Sequence, residues 1–91
     1  MKYRSRTEIA TAILESAVGG NTKTKIMYRA FLSYAQLKEY LAVLEENGLL
    51  SYDKSSHVYK TTQKGMQFLK VSSSLQVLSE GMLQGAAKEA A

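Results

Sequence analysis

The amino-acid sequence predicts an α+β fold, mainly α-helical with one small β-hairpin, in a single domain of 91 residues. Three observations lead to this prediction. Apolar residues recur at helical spacing in four stretches of the chain. Two of these stretches begin at capping-box sequences, which mark helix starts. Between the third and fourth stretches, two short β-prone runs flank a polar turn, as in a hairpin.

The first helix is expected over about Arg6 to Val18. Ser5 and Glu8 fit a capping box, in which each side chain bonds the backbone N–H of the other residue. The apolar positions that follow are spaced for one helix face, and the pair Gly19-Gly20 supplies a stop. Those apolar positions are Ile9, Ile13, Leu14 and Ala17.

The second and third helices are expected to be close neighbours in the chain. The second is short, capped by Thr22 or Thr24, and ends near Ala30. The third begins at a second capping box, Ser33 to Gln36, and ends at Asn47. Its apolar stripe consists of Leu37, Leu41 and Leu44. Only two or three residues separate the two helices, which is helix-turn-helix spacing.

The hairpin is expected over residues 49–61. Three helices followed directly by a hairpin describe a winged helix-turn-helix, with the hairpin as the wing. A fourth, long helix then begins after Thr61 or Thr62 and carries a heptad stripe, which needs a partner helix or its own domain to cover it. We favour a partner, and so assign the stripe to dimerisation: Phe68, Val71, Leu75, Leu78 and Met82. Residues 1–65 would then be the winged helix, and residues 66–91 a dimerisation helix with a frayed tail, in one structural unit.

Composition excludes several kinds of chemistry. The chain has no cysteine and one histidine, His57, so it offers no disulfide, no thiolate and no paired-histidine metal site. No nucleophile, base and orienting group come together in the sequence, and we expect no enzyme activity, cofactor or small-molecule ligand. Glu8 and Glu15 interrupt the apolar residues that follow the basic start, so we predict neither a signal peptide nor a membrane partner.

Several stretches resemble a known family in their order and spacing. They are residues 4–9, 24–28, 37–50 and 59–69, and the resemblance covers about Lys2 to Leu78. They are similar to the small archaeal winged-helix DNA-binding proteins, above all the 10-kDa chromatin-associated ones. The resemblance implies DNA binding, a cytoplasmic, nucleoid-associated location and a homodimer joined by an antiparallel coiled coil of the last helices. The glycines near the end of this chain depart from that pattern.

Positive charge is concentrated in two parts of the chain. Residues 1–35 carry a net charge of +4 and residues 49–70 carry +3, whereas residues 36–48 carry −2. The first group covers the N-terminal arm and second helix, and the second covers the wing, so these elements are expected to bind phosphates. The candidates are Arg4, Arg6, Lys23, Lys25, Arg29, Lys54 and Lys60.

The third helix, about residues 34–47, is the candidate recognition helix. Such helices read bases with their N-terminal residues, which here are Ser33, Tyr34, Gln36 and Lys38. Gln36 can pair with adenine, Lys38 can reach guanine or phosphate, and Ser33 can bond a phosphate. Each also has a structural alternative: Ser33 and Gln36 as helix caps, Tyr34 as half-buried packing, and Lys38 as part of a solvated face.

The sequence therefore predicts a dimeric winged-helix protein that binds double-stranded DNA, in a chromatin-architectural or transcription-regulatory role. The alternative is a protein-interaction winged helix within a larger assembly, which the acidic residues Glu39, Glu45 and Glu46 favour. RNA binding is a minor variant, because the sequence shows no exposed aromatic array of the kind that stacks single-stranded bases.

Overall fold

The computed structural model describes residues 5–72, which form four helices and three strands. In chain order they are α1 (Arg6–Ser16), β1 (Asn21–Thr22), α2 (Lys23–Ala30), α3 (Tyr34–Glu46), β2 (Leu50–Asp53), β3 (Val58–Thr61) and α4, which begins at residue 63. The strands form one antiparallel sheet in the order β1-β3-β2. The predicted α+β winged-helix fold is confirmed, while residues 73–91 lie outside the described part.

Helix starts follow the capping signals of the sequence. The Glu8 backbone N–H donates to Ser5 Oγ at 3.1 Å, and the Ser5 N–H donates back to the Glu8 carboxylate at 3.4 Å. Thr22, rather than Thr24, caps α2 by accepting from the Lys25 N–H.

The end of α1 was predicted two residues too late. The chain leaves the helix after Ser16, because it must turn through two left-handed glycines into β1.

The sequence pattern did not indicate strand β1. Asn21 pairs with Tyr59 and Thr22 pairs with Val58, so two polar residues extend the hairpin into a three-stranded sheet. Gly20, at φ +101°, turns the chain into this pairing, and a Cβ there would lie 2.9 Å from Val58 Cγ1. The strand thus depends on backbone geometry at one glycine, and it places the start of α2 beside the wing.

The core is built from the predicted apolar stripes. Buried residues come from three helices, the C-cap of α1, the turn before α3 and the first wing strand: Ile13, Leu14, Ala17, Ile26, Ala30, Leu32, Leu37, Leu41, Leu44 and Leu50. Thr61 is the single buried polar residue of the described chain. Its Oγ1 donates to the Leu14 carbonyl at 2.6 Å and its N–H donates to the Ala17 carbonyl at 3.1 Å. These bonds fix the base of the wing to the end of α1.

The described part of α4 packs on the same domain. Phe68 and Leu69 are half-buried against the core, whereas Val71 is 57% exposed. Leu75, Leu78 and Met82 lie outside the described residues, and the assignment of the whole stripe to dimerisation stays a prediction. Among the described helices, none combines the length and apolar character needed to cross a membrane.

Candidate nucleic-acid interface

The first turn of α3 is held by its capping box. The Gln36 N–H donates to Ser33 Oγ at 3.2 Å, and Gln36 Oε1 accepts from the Ser33 N–H at 3.1 Å. The Ser33 hydroxyl also donates to Gln36 Oε1 at 3.2 Å. Both side chains are exposed but serve the helix start. Pairing of Gln36 with an adenine through its carboxamide would require its oxygen to give up these bonds.

Lys23 and Tyr34 connect the start of α2 to the start of α3. Lys23 Nζ donates to Tyr34 Oη at 3.2 Å and lies 4.7 Å from the centre of the Tyr34 ring. Tyr34 is 54% exposed, so the contact lies at the surface. Since Tyr34 is the first residue of α3, this pair places one cation directly beside the N-terminus of the candidate recognition helix.

The same contact shifts the pKa of both groups. The hydrogen bond with Tyr34 raises the pKa of the Lys23 ammonium, and the Coulombic interaction of the two groups adds to it. That bond and the Lys23 charge lower the pKa of the Tyr34 hydroxyl. At neutral pH the lysine is charged and the phenol is neutral. Because the phenol oxygen accepts from Lys23, its own proton can be donated to an incoming phosphate oxygen.

Aromatic residues of the wing lie near this pair. Tyr52 and Tyr59 are opposite each other on β2 and β3, with ring centres 4.6 Å apart. Both interact electrostatically with Lys23, which they help to keep charged. At the wing's turn, His57 adopts a left-handed conformation (φ 55°), and its Nδ1 lies 3.0 Å from Tyr52 Oη. The wing tyrosines, Lys23 and Tyr34 therefore form one polar-aromatic cluster between the wing and α3.

The two cations predicted on the wing occupy different positions. Lys54 stands in the exposed turn, where its neighbour Asp53 accepts from both the hydroxyl and the N–H of Ser55 at 2.6 and 2.9 Å. These bonds lower the pKa of the Asp53 carboxyl, which therefore stays charged at neutral pH. Lys60 pairs with Ser51 and, by strand alternation, faces away from the Tyr52–Tyr59 stack.

Helix α2 presents a face with positive charge and no acid. Ile26 and Ala30 are buried, which leaves Lys25, Tyr28 and Arg29 exposed on the other side. The sequence of α2 contains three cations and neither Asp nor Glu. Its positive charge is therefore not neutralised within the helix.

The rest of α3, unlike α2, carries exposed acidic residues. Its exposed residues include Lys38 but also Glu39, Glu45 and Glu46. Burial raises the pKa of the Tyr59 hydroxyl, and the nearby Glu45 charge raises it further, which places Glu45 toward the wing. The favourable end of α3 for a polyanion is consequently its N-terminus.

Arg6 lies apart from the Lys23–Tyr34 pair. It lines a groove of about 380 Å³ between α1, α3 and α4, together with Glu39, Val43 and Phe68. Arg4 lies outside the described residues. Of the predicted phosphate contacts, the structure joins Lys23 directly to Tyr34, places Lys25 and Arg29 on the outer face of α2, and separates Arg6 from them. No group of acidic or histidine residues within residues 5–72 could hold a metal ion.

Tyr52, Tyr59, Tyr28 and Phe31 were missed as candidate site residues. Tyr52 and Tyr59 could have been found from the hairpin register, because both follow from one cross-strand pairing. Tyr28 is 70% exposed and Phe31 is 85% exposed, and composition gives no signal for that. Tyr34 is 54% exposed as well, so three exposed aromatic residues lie between positions 28 and 34.

Comparison with known proteins agrees with this architecture. A family profile described as winged helix-turn-helix matches residues 3–80. The crystal structure of Sso10a-2, a DNA-binding protein from Sulfolobus solfataricus, is similar in fold, with a TM-score of 0.83 and 23% identity. That likeness covers 93% of this chain and 92% of the other. No curated protein gives a significant match. The winged-helix resemblance seen in the sequence is confirmed.

Proposed function

We propose that this chain, which belongs to the winged helix-turn-helix family, binds double-stranded DNA mainly through the phosphate backbone. In this proposal the N-terminus of α3 enters the major groove and the wing lies on the flanking backbone. The observation that carries the proposal is the Lys23–Tyr34 contact at the start of α3, beside the acid-free face of α2. The similarity to a DNA-binding protein supports it.

Phosphate binding should dominate over base reading. The two polar residues best placed to read bases, Ser33 and Gln36, are engaged in the capping box. Further along α3, Glu39 and Glu46 are exposed and would repel phosphates. The cations instead lie on α2 and the wing, which flank the recognition helix. This arrangement gives affinity with modest sequence selectivity, as in a chromatin-architectural protein.

The protein is proposed to act as a homodimer through α4. Val71 is exposed on that helix and belongs to the heptad stripe that continues in the sequence to Met82. An antiparallel coiled coil would join two DNA-binding heads, which suits a protein that links or organises duplexes. Sedimentation equilibrium should give twice the chain mass of 10.1 kDa, and a monomer at micromolar concentration would refute this part.

A second candidate is a protein-interaction winged helix. The groove between α1, α3 and α4 favours it, because apolar residues such as Val43 and Phe68 line it together with Arg6 and Glu39. Under this function, substitutions in the groove would abolish partner capture without changing DNA affinity.

The main test is duplex binding by fluorescence anisotropy over a salt series, with a random-sequence pool as the probe. If Lys23, Lys25, Arg29, Lys54 and Lys60 each neutralise one phosphate, the log–log slope should be about −4.5 per protomer. Any selected sequence should bind less than roughly 10³-fold more tightly than the pool. Absence of duplex binding at low salt, or affinity independent of salt, would refute the proposal.

The Lys23–Tyr34 pair predicts a pH dependence. As the pH rises from neutral toward the ordinary tyrosine pKa of 10.0, the lowered pKa makes Tyr34 ionise early, while the raised pKa keeps Lys23 charged. The phenolate would repel phosphate, so duplex affinity should fall with rising pH. The Y34F variant has no phenol to ionise and should lose affinity only at higher pH. Superimposable pH profiles for the two proteins would contradict the prediction.

A further inference from the structure

His57 and Tyr52 form a hydrogen-bonded pair at the end of the wing. His57 Nδ1 lies 3.0 Å from Tyr52 Oη, and the two ring centres are 6.5 Å apart. His57 is the last residue of the turn before β3, and its left-handed backbone (φ 55°) is uncommon for a residue with a Cβ. Both side chains are exposed, with Tyr52 at 38%. The turn therefore holds a titratable ring at the surface that the duplex is proposed to meet.

Charged and titratable groups surround this pair on the wing, α2 and α3. They are Asp53, Lys54 and Tyr59 in the wing, Lys23 on α2, and Tyr34 and Glu45 on α3. Asp53 is the acid nearest to the histidine in the chain, but its carboxylate accepts from Ser55 at 2.6 and 2.9 Å. Within residues 5–72, the ring nitrogens of His57 have a single hydrogen-bond partner, Tyr52. A positive charge on this ring would therefore be available to a ligand.

Protonation changes what the pair can donate. In a neutral imidazole one nitrogen carries a proton and the other accepts. If Nδ1 accepts from the Tyr52 hydroxyl, the pair can offer a ligand only the Nε2–H. If instead the Nδ1–H donates to Tyr52 Oη, the pair can offer only the tyrosine O–H.

When both ring nitrogens carry protons, the Nδ1–H donates to Tyr52 Oη, and both the Nε2–H and the tyrosine O–H are free to donate. One proton thus adds one donor and one positive charge, whichever neutral tautomer is present.

These two gains suit a backbone phosphate. A phosphodiester carries one negative charge on two unesterified oxygens, and hydrogen bonds to such charged oxygens belong to the strong class. We propose that His57 and Tyr52 form a phosphate-binding site at the end of the wing, which engages duplex DNA when His57 is protonated. This inference rests on the proposed duplex binding and adds a proton dependence to it.

The test is the duplex affinity of the full chain at several pH values, measured by fluorescence anisotropy near 0.1 M salt with the random-sequence pool. The range is about pH 7.5 to 5.5, because an exposed histidine gains its charge there, whereas carboxylates do so mostly below it. We expect affinity to rise roughly tenfold as the pH falls, and the log–log salt slope to steepen by about 0.9, as for one added phosphate contact.

A second readout follows the ring itself. The chain has one histidine, so NMR signals of an imidazole report on His57 alone. A ligand that prefers the protonated ring must favour its protonation in return. Adding duplex should therefore move the ring titration to higher pH by about one unit, which is equivalent to the tenfold change in affinity.

Three variants separate the histidine from its partner. H57N cannot gain the charge and suits the left-handed backbone, so its affinity should change by less than about twofold over the same pH range. Y52F keeps the ring but lacks the hydroxyl, so it should retain only part of the native rise. The matched control Y28F removes a hydroxyl from the exposed Tyr28 of α2 and should keep the full rise. Melting temperatures close to native check that all three variants fold.

The outcomes distinguish this inference from the function on which it rests. Duplex binding with the same affinity across the pH range would overturn the inference and leave the proposed function intact. A native rise in H57N would assign the effect to other groups, such as the exposed glutamates of α3, and would also overturn it, as would the full rise in Y52F. If no duplex binds at any pH, the proposed function and this inference both fail.

Discussion

Replacing Leu37 with alanine is expected to lower the free energy of unfolding by about 2–5 kcal/mol. Leu37 is fully buried and contributes to the core one turn after the start of α3. Alanine would remove its contacts and leave a cavity between helices that pack tightly against each other. In a domain of this size, that loss is a large part of the total stability.

Urea denaturation followed by circular dichroism measures this loss. The matched control is V43A, because Val43 lies on the same helix but is 49% exposed, and it should change stability by less than about 0.5 kcal/mol. L37A should also weaken duplex binding at temperatures where part of it is unfolded, and binding should recover on cooling toward the temperature of maximum stability. Equal free energies of unfolding for L37A and V43A would mean that the buried apolar stripe of α3 does not hold the helix in the core.

The sequence was most informative where local chemistry determines structure. Ser5 and Ser33 were identified as caps, and Thr22 as one of two candidates with Thr24, because an N-cap needs only its own side chain and the next turn. The apolar stripe around Leu37 was predicted because the residues that recur at helical spacing are also the ones that are buried. Strand β1 was not predicted, because its two residues pair only through the turn at Gly20 and with partners almost 40 residues away in the chain.

The candidate site was predictable only in part, for a similar reason. The concentration of cations in α2 is visible in the sequence, but their neighbours depend on tertiary packing. Lys23 meets Tyr34 across the helix-turn-helix, whereas Arg6 lies in the groove with Glu39. The exposure of Phe31 depends on the direction in which the chain leaves α2, which apolar spacing does not encode. Composition therefore indicated a polyanion partner but not the surface that meets it.

The double variant K25Q/R29Q is expected to weaken duplex binding about a hundredfold near 0.1 M salt. The reason is counterion release: each lost phosphate contact should make the log–log salt slope shallower by about 0.9, which extrapolates to roughly tenfold in affinity per contact at that salt. Both side chains are exposed on α2 and neither supports the core, so the free energy of unfolding should change by less than about 1 kcal/mol. Anisotropy over a salt series gives both affinity and slope.

The informative comparison is K64Q/K70Q, which removes the same net charge from α4. Lys64 donates to the Asn47 carbonyl at the far end of α3, and Lys70 is exposed further along α4, so neither belongs to the proposed interface. If duplex binding depended only on total charge, the two double variants would lose equal affinity. A loss at least tenfold greater in K25Q/R29Q would instead locate the duplex on the α2 side of the recognition helix. The opposite ranking would move the interface to α4 and refute the arrangement proposed for this winged helix.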